Sequence, residues 1–277
     1  MLREPEPVLV ADRFPALLDA LLDLLRSLTQ EEWQRPVHGG EWTIKDLAQH
    51  LLGDEINILS GKRDRFSETF APIHNWDELV ALINHRNAVW VEATRRMSPR
   101  VIMELLHITG EQANEHFRQM DPFATGSPVN WAGPDPAPVW LDVAREFTER
   151  WHHQQHIRDA VGKPGAVGPK FLAPVLAAFV RALPVTFTAV DAPKGAAVTL
   201  NITGPSGGTW SVVREENSWK LYQGTADAPE AVVDLPEDVA WRLFTRGITP
   251  VQAREQAKVT GSISLGQRVL ETVSILA

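Results

Sequence analysis

The sequence predicts an α + (α+β) protein, with a helical bundle over residues 1–165 and a small α+β domain over residues 170–277. Three observations carry this expectation. Apolar residues recur at helical spacing through the first part, alternation replaces that period beyond residue 197, and the stop signal Gly162-Lys163-Pro164-Gly165 separates the two textures. A chain of 277 residues also exceeds the usual size of a single hydrophobic core.

In the first part, Leu17, Leu18, Leu21, Leu22, Leu24 and Leu25 mark a helix over Phe14–Leu28. Thr43 caps a second helix over Ile44–Leu59, because its hydroxyl and the Asp46 carboxylate can each accept from a backbone N–H that the first turn leaves unpaired. Leu79, Val80, Leu82, Ile83, Val89 and Trp90 place a third over Asp77–Arg96, and Ser98-Pro99 starts another through Met120. Asp121–Pro138, rich in Pro, Gly and Asn, reads as a long loop, and a further helix spans Ala137–Val161. The linker Lys163–Pro169 follows. Ala197–Ile202 and Thr209–Val213 alternate as strands, Glu215-Glu216-Asn217-Ser218 turns the chain into Trp219–Tyr222, and Ala231–Leu235 is another strand. Asp238–Arg246 and Leu265–Ile275 return to helix.

Composition narrows the function. The balance of 27 Lys+Arg against 35 Asp+Glu, a net charge of -8, opposes nonspecific binding to nucleic acid or to an anionic membrane. With no cysteine in the chain, there is no disulfide, thiolate metal site or cysteine nucleophile, and thiol chemistry would need a borrowed thiol. The start Met-Leu-Arg-Glu-Pro-Glu-Pro lacks the basic and apolar pattern of a signal peptide, and the longest apolar run, Phe171–Val180, is about half a membrane span. The expectation is a cytoplasmic protein with neither nucleic-acid nor membrane partners. Its oligomeric state is left open, a homodimer included.

The most informative stretch is Glu149-Arg150-Trp151-His152-His153-Gln154-Gln155-His156. Glu149 and His153 lie four apart, on one helix face a turn from each other, so two metal ligands can converge from there. Val139, Val143, Phe147, Trp151, Ile157 and Val161 form one apolar arc, with His153 near its edge and His152 well away from it. The pair His152 and His156 has the same spacing and stays open as an alternative, although the wheel points it toward solvent. A bundle holds metals with ligands from facing helices, and His50, beside Leu47 and Leu51 on the second helix, is the candidate third ligand. Two His and one Glu suit an open zinc site with a position free for water, substrate or a thiol.

These residues carry a resemblance. Trp42-Thr43-Ile44-Lys45-Asp46-Leu47-Ala48-Gln49-His50-Leu51 resembles the tryptophan-led second helix of DinB-like four-helix bundles, and the segment from Glu149 to Gly162 resembles their metal-binding later helix. Within that superfamily the chain is most similar to the mycothiol-dependent maleylpyruvate isomerase family, whose members carry a sterol-carrier-like α+β domain after the bundle. The resemblance implies that His50, Glu149 and His153 hold a divalent metal, zinc by expectation, and that a low-molecular-weight thiol, mycothiol or an equivalent, is the cofactor. It further implies cis–trans isomerisation by reversible thiolate addition to a small carboxylate substrate. A thiol S-transferase acting on an electrophile would use the same residues, and a noncatalytic small-molecule or metal-binding protein would keep the scaffold. Ala240-Trp241-Arg242-Leu243-Phe244-Thr245-Arg246-Gly247 resembles the family's tryptophan-to-arginine helix end, which makes Arg246 the catalytic candidate and Arg242 the reserve. His156 departs from the pattern, in that relatives often carry an acid there, and reads as facing outward.

Other features read as structural. Gly204-Pro205-Ser206-Gly207-Gly208 lacks the Lys-Ser/Thr ending of a phosphate loop and reads as a turn. Trp33, Trp42, Trp90, Trp140 and Trp151 read as core, and His38, His74, His85, His107 and His116 have no partner at ligand spacing.

Overall fold

The computed structural model describes residues 1–37, 42–66 and 75–275, so His38 and His74 lie outside the described residues. The chain clusters into two compact units. One comprises residues 10–120 and 149–166, and the other residues 1–9, 121–148 and 167–276.

The first unit is helical. Helix α1 (Phe14–Arg26) buries Phe14, Leu17, Leu21, Leu22, Leu24 and Leu25, the stripe that the leucine spacing foretells. Helix α2 (Ile44–Asn57) opens with the expected capping box, in which Thr43 Oγ1 accepts from the Asp46 amide at 3.2 Å and Asp46 Oδ2 accepts from the Thr43 amide at 3.0 Å. It then runs into a π-helical turn, Ile58–Arg63. Helices α3 (Trp76–Thr94) and α4 (Pro99–Gln119) pack on α2, and α4 also packs on α1. Gly53 of α2 is required by closeness, since a Cβ there would meet the Trp90 ring at 2.8 Å. That ring is fixed by its Nε1, which donates to the Gln49 carbonyl at 2.7 Å. Leu25, Ile44, Leu47, Leu51, Leu52, Ile102, Leu106 and Ile157 form the unit's core.

The segment expected to be a loop holds two short paired strands, β1 (Thr125–Pro128) and β2 (Pro136–Pro138). Helix α5 (Val139–Val161) starts after Pro138, consistent with proline's bias of its preceding residue away from helix. It ends where the sequence indicates, with Gly162 in the left-handed region at φ 65.

The second unit is built on a sheet. Before the sheet come α6 (Leu172–Phe179) and α7 (Leu183–Thr186), which the sequence reading left unassigned. Leu172, Val175, Leu176, Ala178 and Phe179 are all buried, so α6 is apolar all round and shows no amphipathic period. The strands β3 (Ala197–Thr203), β4 (Gly208–Arg214), β5 (Trp219–Gln223), β6 (Ala231–Pro236) and β7 (Lys258–Gly261) lie in the order β5-β4-β3-β6-β7. The β3 and β6 pair is parallel and the others antiparallel. The expected hairpin forms, closed by the Glu215 amide on the Ser218 carbonyl at 2.8 Å, and residues 204–208 form the expected turn between β3 and β4. Arg3 exchanges both backbone bonds with Gln223, at 3.0 and 2.8 Å, extending the β5 edge.

Helix α8 (Glu237–Phe244) is shorter than expected, because Arg246 takes φ 59 and the Gly247 amide turns back onto the Arg242 carbonyl at 2.7 Å. Helix α9 (Pro250–Gln256) and β7 are additions to the sequence reading, and α10 (Ile263–Val269) stops six residues before Ile275. After α10 the Ser274 amide instead donates to the Phe244 carbonyl at 2.8 Å. No helix among the described residues is long and apolar enough to cross a membrane.

Candidate metal centre

The cluster of interest lies within the helical unit, where α2 carries His50 and the later turns of α5 carry Glu149 and His153. Two buried contacts set the rotation of α5 at this level. Arg150 Nε donates to Glu55 Oε1 of α2 at 2.8 Å, both residues being buried, and the guanidinium sits 5.7 and 5.6 Å from the Phe14 and Phe117 ring centres. One turn on, Gln154 Nε2 donates to the Leu17 carbonyl at 3.2 Å. With that face of α5 held, Glu149 and His153 meet His50.

Their ligand atoms converge. His153 Nε2 lies 3.2 Å from His50 Nε2 and 2.9 Å from Glu149 Oε1, and one atom from each residue falls within 4.8 Å of the others. Asp54, one turn after His50, places Oδ2 3.4 Å from the same His50 nitrogen. The Trp42 ring, 5.3 Å from the His50 ring, closes another side.

The electrostatics favour a cation here. Burial, with positive His153 adding to it, pushes the His50 imidazole down to about 3, so it is neutral near pH 7 and can donate a lone pair. Burial alone would raise the Glu149 carboxyl, but the His153 ring outweighs it by charge and hydrogen bond and holds the group well below the ordinary carboxylate range. Burial alone would lower His153, yet Glu149 overrides it and the imidazole is raised, with Asp54 contributing. The Glu149 carboxylate thus favours positive charge at this point, and a divalent ion would meet the same carboxylate. Two imidazoles and one carboxylate converging from two helices are the donor set that zinc accepts with a position left open.

The structure brings together the three residues that the sequence singled out as ligands. It corrects the reading of the neighbouring pair. His152 is buried at 5 % exposure, not turned to solvent, and His156 is half-buried, not outward. The helical wheel misplaces them because α5 is covered on most sides, with Arg150, Gln154 and Gln155 buried beside the apolar arc. Asp54, Glu55 and Arg150 were not anticipated at all. Their only signal was the spacing of Glu55 from Leu51 and Leu47 along the buried stripe of α2. Arg246 belongs to the sheet unit, with an exposed side chain that has no ion-pair partner among the described residues. Arg242 is engaged, donating from Nε to Asp238 Oδ2 at 3.1 Å and lying 4.3 Å from the Trp241 ring centre.

Comparison with known proteins bears on the family and the fold. Residues 14–158, more than half of the chain, match the family described as the mycothiol maleylpyruvate isomerase N-terminal domain. The fold is similar to a crystal structure of the mycothiol-dependent maleylpyruvate isomerase, at TM-score 0.53 and 13% identity, covering 91% of this chain and 92% of that one. A point mutant of that enzyme is similar at TM-score 0.53 and 12% identity, with the same coverage. No curated protein matches. On the family match, the chain belongs to the mycothiol maleylpyruvate isomerase N-terminal domain family.

Proposed function

We propose that this protein is a cytoplasmic, metal-dependent enzyme that uses a low-molecular-weight thiol, mycothiol or an equivalent, to isomerise a small unsaturated carboxylate. The observation that carries the reading is the convergence of His50, Glu149 and His153, with two Nε2 atoms 3.2 Å apart and a carboxylate oxygen at 2.9 Å. When bound, a divalent ion such as zinc would hold the thiol as thiolate, the nucleophile that reversible cis–trans isomerisation requires. The chain's own groups do the rest. His50, kept neutral by burial, the Glu149 carboxylate and a neutral His153 would hold the ion. Arg150 and Glu55 fix the turn of α5 that presents two of the three ligands. The sequence has no cysteine, so the thiol must be bound from solution. Arg246 is assigned to the substrate carboxylate, because a planar guanidinium suits a carboxylate and its neighbour Arg242 is already paired.

Elemental analysis of the purified protein beside His50→Ala and His153→Ala tests the metal. About one zinc or similar ion per chain, lost in both variants, is the expected result. A wild-type protein that neither carries nor takes up zinc overturns the reading and leaves a binding scaffold. Product analysis with maleylpyruvate-like acids and electrophiles then separates isomerase from S-transferase, since the thiol is regenerated in the first and consumed in the second.

A further inference from the structure

The proposed metal centre uses one face of α5, and the same turns carry two more imidazoles that it leaves out. At about 100° per residue, His156 falls between His152 and His153 on the helix circumference and one turn further along, so the three rings form a triangle on a single arc. The geometry follows that expectation. The His152 and His156 ring centres are 4.1 Å apart at 65°, and the His153 ring lies 5.4 Å from the first and 5.8 Å from the second. One nitrogen from each of the three lies within 4.8 Å of the others.

A second observation points to an absent ligand. His153 directs Nε2 at Glu149 and His50, while its other ring nitrogen, Nδ1, is buried and has no hydrogen-bond partner among the described residues. A ligating histidine ordinarily gives its second nitrogen to a carboxylate, carbonyl or water. Here that nitrogen belongs to a ring flanked by two further imidazoles.

We propose that His152, His153 and His156 form a second site for a divalent transition metal, distinct in composition from the first. Its donor set is three imidazoles and no carboxylate. Such a set favours copper, nickel or zinc over the hard, oxygen-seeking cations, and the neutral ligands leave the ion's full charge to attract an anion into its open position. The ligands are neutral when the first centre is empty. With Nε2 serving the first centre, coordination at Nδ1 would release the remaining ring proton to solvent and make His153 a bridging imidazolate, lowering the second ion's net charge by one. The site shares His153 with the proposed catalytic centre but does not rest on it.

Cu²⁺ alone, added to untagged full-length protein, is a suitable probe. His50→Ala removes a ligand from the first centre and none from the second, and Glu149→Gln, nearly isosteric, does the same should His50→Ala fold poorly. In either background one Cu²⁺ should bind, with the nitrogen hyperfine pattern of several imidazoles in its electron paramagnetic resonance spectrum. Adding His156→Ala should weaken that binding at least tenfold and simplify the pattern, with unchanged circular dichroism. If the background variant binds no Cu²⁺, or if His156→Ala leaves affinity and spectrum as they were, the second site does not exist. Neither failure touches the first centre, which is read from zinc content in the wild-type chain.

Discussion

The two units bury polar groups of different kinds. In the sheet unit the buried polar residues are nearly all hydroxyls, and most have backbone partners: Thr245 Oγ1 donates to Trp241 O at 2.9 Å, Thr272 to Val269 O at 2.8 Å and Ser274 to Phe179 O at 2.8 Å. The helical unit buries Asp46, His50, Glu55, Arg150 and His152, groups that carry or can carry charge. A buried hydroxyl costs little once a carbonyl accepts from it, whereas a buried charge is tolerable only with a matched partner or a metal. Apart from Glu146, which pairs with Arg145, and Ser206, whose buried hydroxyl has no hydrogen-bond partner among the described residues, the sheet unit's interior is thus explained by folding alone. That of the helical unit is explained only in part, and the unexplained part is the histidine cluster between α2 and α5.

The largest expected effect sets one such group from each unit side by side. Glu55→Gln removes the carboxylate that faces the buried Arg150 guanidinium and should cost about 3–5 kcal/mol. Ser211→Ala removes the hydroxyl that bridges Thr199, the Gly224 carbonyl and the Ala226 amide, and should cost about 1–2 kcal/mol. Urea denaturation of both variants checks the ranking. Equal costs would mean that the Arg150–Glu55 pair is solvated and that the contrast between the units is wrong.

The parts of the site that follow apolar period and end signals were legible in the sequence. The Thr43–Asp46 box fixes where α2 begins and hence which face carries His50, and the spacing of Glu149 and His153 survives because both sit on one turn of a regular helix. Burial of polar residues was not legible, since a wheel drawn on apolar positions assigns His152 to solvent when the helix is covered nearly all round. The Arg150–Glu55 pair spans 95 residues of sequence and has no local pattern. The same holds for Arg3 against Gln223, a pairing of distant segments. Helix α9 differs, because Thr249-Pro250-Val251-Gln252 does carry a capping box with proline at the first turn, and only its shortness hid it.

A pH experiment sharpens the contrast with a smaller effect. In chelator-treated protein, His50 has a folded-state value of about 3 against an ordinary 6.5, so between those values the unfolded chain binds a proton that the folded chain refuses. Stability from this group is present above pH 6.5 and lost as the pH falls. From pH 7 to pH 5 the loss should be on the order of 1–2 kcal/mol relative to a His50→Asn variant. His153 is raised, so its contribution has the opposite sign: it is present at low pH and lost as the pH rises through its folded-state value. Because His153 is present in both proteins, the difference between them reads His50. Glu149 loses its contribution only below the ordinary carboxyl value of 4.5, outside this window. Parallel pH profiles for the two proteins would show His50 to be solvated rather than held neutral in the interior.

The smallest effect concerns Arg246, the sheet unit's first functional candidate. Arg246 sits at φ 59 after α8, a left-handed position that glycine fills without strain and an L-residue does not. That conformation costs an ordinary residue roughly 1–2 kcal/mol, and glycine's extra freedom in the unfolded chain returns about half, so Arg246→Gly should stabilise the protein by about 0.5–1 kcal/mol. A side chain kept at a position where the backbone would be better off without it calls for a role outside folding. If that role is the substrate carboxylate, Arg246→Gly raises the denaturation midpoint while turnover falls at unchanged metal content. A variant that gains stability and keeps full turnover would remove Arg246 from the mechanism and leave its strained backbone without a function.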